Sequence, residues 1–201
     1  MRAQQSSGAD VVIGPCLPQL PPGTPDWMRS GGFFARRRFP SGASIPANYA
    51  RTSGVLVRRA AMPARPAVFA EELRFSGGSD RALFVEMEQR GATFRWVDEA
   101  VVTEHIPPSR ARLSWILRRG FRIGNSRSTT LVLDGATDRR RVKRMAAGVV
   151  DIVTGAVLAL RGIRSGRAAV VRGLRRSCYG AGLLLGALGY RYQEYLHHHG
   201  I

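Results

Sequence analysis

The sequence predicts an α/β fold followed by a helical tail, and three observations support this prediction. Short apolar runs of strand length, bounded by glycine or proline, recur in the first half of the chain. Helix-length patterns occur between and after them. Near residue 135 the composition changes to an alternation of basic and apolar segments. We therefore expect an α/β part over residues 1–135 and a basic, apolar helical tail over residues 136–201.

Two strands and a long proline-rich loop are predicted in the N-terminal part. Residues 9–13 form the first apolar run, which a Gly-Pro pair ends, and residues 54–58 form the second. Five prolines within residues 14–26 argue against a regular helix or a central strand there. Residues 27–50 are expected to be irregular as well, and long loops of this kind usually carry function.

A glycine-rich turn precedes the next helix. Ser79 or Asp80 is the predicted N-cap of a helix of about ten residues, which Gly91 ends. Residues 69–75 are expected to form a short helical turn or an irregular segment before it.

Two further strands and a basic helix complete the predicted α/β part. Residues 92–97 and 100–103 are the expected strands, and His105 lies just beyond the second, where two prolines forbid continuation. Residues 110–124 combine apolar residues with five arginines and predict an amphipathic helix with a basic face.

The positive charge is concentrated in the second half of the chain. Residues 1–100 hold 13 arginines against nine acidic residues, a net of +4, whereas residues 101–201 hold 18 basic against five acidic residues, a net of +13. Such an excess favours an anionic partner, which is a membrane surface, a nucleic acid or a phosphorylated substrate. Lys143 is the only lysine, so a coding bias toward arginine is an alternative explanation.

Cysteine usage and the N-terminal sequence indicate a reducing compartment. Cys16 and Cys178 are far apart and match neither a disulfide framework nor a zinc pattern. The first ten residues lack the apolar stretch of a signal peptide, so a cytoplasmic location is the default expectation.

The tail contains two apolar stretches, and the arginine-rich segment between them is predicted to be a linker. Residues 145–160 include Asp151, and residues 178–190 number only 13, so both are short for a spanning helix of about 20 residues. We predict interfacial helices with arginines at anionic head groups, on the cytoplasmic side, peripheral or shallowly inserted. The alternatives are a shallow helical hairpin and a helical pair packed on the α/β part.

The order of several short motifs over residues 9–127 resembles the second half of family 2 glycosyltransferases, in particular the bacterial enzymes that build exopolysaccharide. Each motif alone is weak, whereas their order and spacing are more specific. The matching segments are Ala9-Asp10-Val11-Val12-Ile13-Gly14-Pro15, Trp27, Thr52-Ser53-Gly54-Val55-Leu56-Val57-Arg58-Arg59, Phe69-Ala70-Glu71-Glu72-Leu73, Gly77-Gly78-Ser79-Asp80, His105, and Arg112-Leu113-Ser114-Trp115-Ile116-Leu117-Arg118-Arg119.

The resemblance implies a partial nucleotide-diphospho-sugar transferase fold, of the GT-A-like class, and an inverting sugar transfer from a nucleotide sugar to a lipid-linked or polysaccharide acceptor. Asp80 matches the family's general base. The reaction needs such a base because a sugar hydroxyl must lose its proton as it attacks. His105 matches a histidine that helps to hold a divalent metal, Mg or Mn, at the donor diphosphate. The alternatives are a helix N-cap for Asp80 and an ordinary loop histidine for His105.

Six further residues are candidates for binding the acceptor or phosphate. Arginines can hold phosphate groups in bidentate contacts, and tryptophans can stack on sugar rings. A solvated basic helix face and buried aromatic residues are the competing interpretations. The candidates are Trp27, Arg110, Arg112, Trp115, Arg118 and Arg119.

Departures from the family pattern favour an incomplete enzyme. Ser79 replaces a glutamate, Gly54 an asparagine and Ala70 an aspartate, and no D-x-D metal motif precedes residue 9. The resemblance therefore implies a truncated product, a misassigned start or half of a split enzyme that needs a separate donor-binding half. A degenerate, inactive relative and a non-catalytic basic module that binds membrane or nucleic acid are the other interpretations, although no nucleic-acid motif appears.

Overall fold

The computed structural model describes residues 8–65, 67–69, 78–133 and 137–192. These residues form a mixed α/β protein with two small sheets and a helical C-terminal region, which confirms the predicted fold class. They divide into two compact units. The sheet unit is drawn from Met1–Gln19 and Phe34–Glu104, and the helical unit from Leu20–Phe33 and His105–Ile201.

The main sheet has three strands, with the most buried strand in the centre. β1 (Val11–Ile13) pairs antiparallel with β3 (Val55–Val57) and parallel with β4 (Phe94–Trp96). All three residues of β1 are buried, as expected of a strand that has neighbours on both edges. The three predicted strands over these segments are confirmed.

One helix covers this sheet. α2 (Ser79–Gln89) buries Leu83, Phe84 and Met87, and the Phe84 ring meets the ring of Phe94 edge to face at 6.2 Å. Leu83 and Phe84 lie four and three residues before Met87, so the three side chains form a single buried stripe, and this stripe closes the core of the sheet unit. The predicted helix is confirmed, whereas the predicted N-cap is wrong. Gly78 is the N-cap with φ 97°, a left-handed conformation that glycine adopts without strain.

A second, two-stranded sheet corrects the prediction of a continuous loop over residues 14–26. β2 (Cys16–Gln19) pairs with β5 (Val102–His105). Pro18 is tolerated because an edge strand needs no N–H donor on its outer side. β5 also begins two residues later than predicted, so His105 is its last residue. α1 (Asp26–Ser30) is a short helix in the segment that was expected to be irregular.

Three long helices make up most of the helical unit. They are α3 (Leu113–Leu133), α4 (Asp138–Gly162) and α5 (Arg167–Ala187). α3 is longer than the predicted segment 110–124 at its C-terminal end. The arginine-rich segment after residue 160, predicted as a linker, is mostly helix, because the connection between α4 and α5 is only one 3-10 turn, Ile163–Ser165, and Gly166.

α5 packs on both α3 and α4 through glycines. A Cβ atom on Gly155 of α4 would lie 2.5 Å from the backbone nitrogen of Ser177, and one on Gly124 of α3 would lie 2.0 Å from the carbonyl oxygen of Tyr179. Helices that approach so closely use small residues at their crossings, as in membrane bundles. Gly148, Gly162, Gly173, Gly180, Gly182 and Gly186 take part in the same way.

Buried amide and hydroxyl groups of α3 form hydrogen bonds to the C-terminal part of α5 and to residues just after it. Asn125 Nδ2 donates to the carbonyl oxygen of Tyr190 at 2.8 Å, and its Oδ1 accepts from the N–H of Tyr192 at 2.8 Å. Ser128 Oγ donates to the Leu183 carbonyl oxygen at 2.7 Å. A buried polar group needs such partners, so these bonds hold α3 and α5 in one register.

Some predictions concern residues outside this description. The predicted segment 69–75, the Gly77 position of the glycine-rich turn, and the boundary between residues 135 and 136 lie wholly or mostly outside the described residues.

Candidate functional site

Asp80 lies in the first turn of α2, at the edge of the buried stripe. It precedes Phe84 by four residues, so its side chain is on the helix face that packs on the sheet, and it is half-buried. Within the described part of the chain, its carboxylate accepts one hydrogen bond, from the N–H of Arg81 at 2.8 Å.

The backbone conformation of Gly54 favours glycine at this position. Gly54 has φ 73°, and its carbonyl oxygen accepts the Gly14 N–H at 2.9 Å. A Cβ at this position would lie 2.9 Å from Cγ2 of Val102. A left-handed, closely packed position of this kind favours glycine over a larger residue.

A polar cluster beside β5 was missed by the sequence reasoning. We call it the Glu104 cluster: Cys16, Arg36, Ser53 and Glu104. Arg36 donates to Glu104 Oε2 at 2.6 Å and to Ser53 Oγ at 2.7 Å, and the Cys16 thiol lies 3.6 Å from the same carboxylate oxygen. The basic triplet at residues 36–38 was the available signal, but nothing in the sequence paired it with a carboxylate 68 residues away.

The neighbouring arginines of that triplet have other partners. Arg38 forms a two-bond ion pair with Asp98. This pair, above all the hydrogen bond from Arg38, lowers the pKa of Asp98 below its usual range. Arg37 lies over the ring of Phe39 at 4.9 Å and over the ring of Tyr49 at 5.6 Å. The three arginines therefore hold their loop against the rest of the sheet unit through separate contacts.

His105 is exposed at the end of β5. Among the described residues, no group of three or more His, Cys, Asp or Glu side chains is arranged to hold a metal ion. Catalytic metals usually take three protein ligands or a substrate diphosphate in addition to protein groups. These residues alone therefore do not form a metal site around His105.

In the helical unit, Trp27 is covered by aromatic and cationic neighbours. Its ring meets Phe33 edge to face at 5.9 Å, and the guanidinium of Arg167 lies 4.8 Å from its centroid. Its Nε1 is buried and has no acceptor within the described residues. The Arg167 contact was not predicted, because 140 residues separate the two side chains in the chain.

Trp115 and the four predicted arginines lie at or just before the start of α3. Trp115 is half-buried, and the guanidinium of Arg119 lies 5.0 Å from its ring centroid. Arg110, Arg112 and Arg118 are exposed, and Arg118 Nε donates to the Ser114 carbonyl oxygen at 3.3 Å. These side chains form a basic and aromatic surface of the helical unit, whereas Asp80 belongs to the sheet unit.

Comparison with known proteins gives one relative. The chain is 34% identical over 131 residues to the succinoglycan biosynthesis protein ExoM of Rhizobium meliloti (strain 1021). The match includes 65% of this chain and 42% of that protein, so the chain spans less than half of the relative's length. No protein-family model and no solved structure matches the chain. The chain is therefore related to a protein of bacterial exopolysaccharide biosynthesis.

Proposed function

We propose that these residues form the acceptor side of a family 2 glycosyltransferase with a partial GT-A-like fold. The reaction is transfer of a sugar from a nucleotide sugar to a lipid-linked or polysaccharide acceptor, with inversion at the anomeric carbon. Two independent lines support the proposal. The motif order of the sequence resembles that family, and a relative of the chain is named for succinoglycan biosynthesis.

The observation that carries the proposal is the placement of Asp80. A general base must be ionised and must not be occupied by an ion pair. Asp80 stands in the first turn of α2, and its one hydrogen bond within the described residues comes from a backbone N–H. By contrast, Asp10 and Asp98 of the same unit are bound to arginine side chains.

The proposed step uses Asp80 as the proton acceptor. The acceptor hydroxyl oxygen attacks the anomeric carbon and its proton passes to the Asp80 carboxylate. The bond from the anomeric carbon to the diphosphate oxygen breaks, and the nucleoside diphosphate leaves with the electron pair. Because attack and departure occur on opposite faces, the anomeric configuration is inverted.

The helical unit supplies the proposed binding groups. Trp27 and Trp115 would present ring faces to sugar rings, and Arg110, Arg112, Arg118 and Arg119 would hold phosphate groups of a diphosphate or a lipid. The ring contacts of Arg167 and Arg119 keep a positive charge beside each tryptophan. This arrangement suits an acceptor that carries sugar and phosphate next to each other.

A divalent metal, Mg or Mn, is part of the proposal through the family resemblance alone. His105 is its candidate ligand, and the other ligands would come from the donor diphosphate or from residues outside the described part of the chain. A separate donor-binding half is a further proposed partner, also through the family resemblance alone.

The proposed location is the cytoplasmic face of the cell membrane, with the helical tail peripheral or shallowly inserted. By length and composition alone, one helical segment among the described residues, Asp138–Ser165, could cross a membrane. The net charge of +17 supports an anionic membrane surface as a partner. No nucleic acid is expected as a partner.

The test replaces Asp80 by asparagine in the chromosomal gene, so that the native partners are present. Membranes from the two strains receive labelled nucleotide sugars, and label is counted in the lipid-extractable and polysaccharide fractions. Loss of a general base should lower transfer about 10²- to 10⁴-fold. Transfer at the parental rate would refute the role of Asp80.

A matched control separates this loss from a folding defect. Asp138→Asn makes the same substitution at the exposed first residue of α4 and should leave transfer unchanged. Asp80→Asn and the parent should also accumulate to equal levels in membranes, because the carboxylate hydrogen bond found among the described residues is to a backbone N–H of its own helix, and an asparagine side-chain oxygen can accept the same bond.

A further inference from the structure

The outer face of α4 is apolar and, within the described part of the chain, exposed. Nine residues of its segment 146–160 are exposed, and all nine are alanine, valine or leucine. Val150 is 60% and Leu160 is 67% exposed, fractions that are unusual for large apolar residues in a soluble protein. The nine residues are Ala146, Ala147, Val149, Val150, Val153, Ala156, Val157, Leu158 and Leu160.

The polar side chains within this segment form hydrogen bonds inside the hairpin that α4 and α5 make. Asp151 accepts a hydrogen bond from Arg176 Nε of α5 at 2.8 Å. Thr154 Oγ1 donates to the carbonyl oxygen of Val150 at 2.7 Å, within its own helix. Polar groups that lie among acyl chains must form their hydrogen bonds within the protein, because hydrocarbon provides no hydrogen-bonding partner.

Basic residues flank the apolar face at both ends. Arg139, Arg140 and Lys143 are exposed in the first turns of α4, and Arg161 and Arg164 are exposed at its end. The apolar stretch between them is about 24 Å long at 1.5 Å per residue. An apolar face between cationic flanks is complementary to acyl chains beneath anionic head groups.

The packing of α4 on α5 determines which orientation of α4 in a membrane is favourable. Gly155 of α4 lies against Gly173 and Ser177 of α5, so this part of α5 is level with the middle of the apolar face. Arg172, Arg175 and Arg176 belong to the same part of α5. If α4 crossed the bilayer upright, these arginines would lie near its centre, where charged groups are unfavourable.

We propose that α4 lies flat in an anionic membrane leaflet, with its outer face in the acyl boundary and α5 on the head-group side. This proposal deepens the membrane location proposed above and does not depend on sugar transfer. The occupant of the face is lipid. A second copy of the chain is the competing occupant, and the experiments below distinguish the two.

The first experiment measures partition of the full chain onto vesicles by co-sedimentation. The vesicles contain phosphatidylcholine with or without 30% phosphatidylglycerol. Val150→Glu places a charge in the outer face and should weaken binding to the anionic vesicles at least tenfold. Val101→Glu makes the same substitution at an exposed valine of the sheet unit, 48% exposed, and should bind like the parent.

Three outcomes would overturn the proposal. They are equal binding of Val150→Glu and the parent, equal binding of the parent to both vesicle types, and a change from dimer to monomer in Val150→Glu without a change in vesicle binding. The last would show that a second copy covers the face. Parental sugar transfer in Asp80→Asn with normal vesicle binding of the parent would refute the role of Asp80 and leave this proposal standing. Loss of transfer in Asp80→Asn with equal vesicle binding of Val150→Glu and the parent would overturn this proposal and leave the proposed enzyme standing.

The second experiment measures depth. Nitroxide labels are placed at Val142→Cys, Val150→Cys and Val157→Cys in a background in which Cys16 and Cys178 are alanine. The background must keep the helical circular dichroism and vesicle binding of the parent. A flat helix gives three similar shallow depths by oxygen and nickel accessibility. A spanning helix gives a depth at Val150 much greater than at Val142, and this result would overturn the flat orientation.

Discussion

At the scale of the residue, Asp10 shows how one carboxylate joins distant segments of the sheet unit. Its Oδ2 accepts from the N–H of Thr93 at 2.9 Å and from the Thr93 hydroxyl at 3.0 Å, and Arg58 lies 3.5 Å from Oδ1. The Thr93 N–H is the largest cause of the lowered pKa of Asp10, the Thr93 hydroxyl and Arg58 add to it, and partial burial opposes it. Asp10 thereby fixes the start of β1 beside the start of β4.

This lowered pKa predicts an acid-dependent loss of stability. A carboxyl with a lower pKa in the folded state stabilises the fold above the unfolded-state pKa of about 3.9, and this contribution disappears as pH falls through the folded-state pKa. Asp10→Asn should lower the free energy of unfolding by about 1 kcal/mol at pH 6. The difference from the parent should shrink as pH falls below about 4. Urea unfolding followed by near-ultraviolet circular dichroism at pH 6 and pH 3 tests this, and a constant difference would contradict it.

At the scale of the element, the α4–α5 hairpin depends on backbones that approach each other at glycines. Gly155 is the clearest case, because an added Cβ would lie 2.5 Å from the Ser177 nitrogen and 2.7 Å from the Gly173 carbonyl oxygen. These neighbours are backbone atoms and cannot rotate away. The two helices would have to separate to admit a methyl group.

The expected effect of Gly155→Ala on stability is therefore opposite in sign to the effect expected from helix propensity. In a free helix, alanine is favoured over glycine by about 1 kcal/mol. In this hairpin, we expect overpacking to destabilise by about 1 to 3 kcal/mol and to lower the thermal midpoint of the helical circular dichroism signal. Ala156→Gly, at the exposed next position, should cost only the propensity difference. A higher midpoint for Gly155→Ala would show that the helices are not in contact there.

At the scale of the whole molecule, charge and apolar surface act together in the second half of the chain. Arg172 and Arg175 have no side-chain partner among the described residues, and burying both at the bilayer centre would cost about 5 to 7 kcal/mol. Lying flat avoids this cost and keeps the apolar face in contact with lipid. Hydropathy alone does not distinguish the two orientations, because it does not register the neighbouring helix.

Salt separates the two contributions to membrane binding. Raising NaCl from 0.1 to 1 M shortens the Debye length from about 10 Å to about 3 Å and weakens the attraction of the +13 half to anionic lipid. Binding of the parent to anionic vesicles should fall but persist, because apolar burial is not screened by salt. Binding to DNA under the same conditions should be weak at 0.1 M and absent at 1 M. Complete release from vesicles at 1 M would indicate a purely electrostatic contact.

Local pattern was sufficient for much of the sheet unit. The apolar runs that became β1, β3 and β4 and the spacing of Leu83, Phe84 and Met87 are properties of short segments, and the structure confirms them. The same reasoning was wrong for β2. Proline content indicates that a segment is not a central strand, but it does not indicate whether the segment can form an edge strand. It was also wrong for the arginine-rich segment after residue 160, which was predicted to be a linker although arginine is a good helix former.

What the sequence by itself determined is the α/β class, the helical tail, the position of Asp80 at the start of a helix, and the uneven charge. Each of these depends either on composition or on residues that are close together in the chain. Only the tertiary structure decided the Glu104 cluster, the Arg167 contact on Trp27 and the level of the α5 arginines beside the apolar face of α4. These features join residues that are between 17 and 140 positions apart, and their pairing depends on how whole elements pack, which a local pattern does not encode.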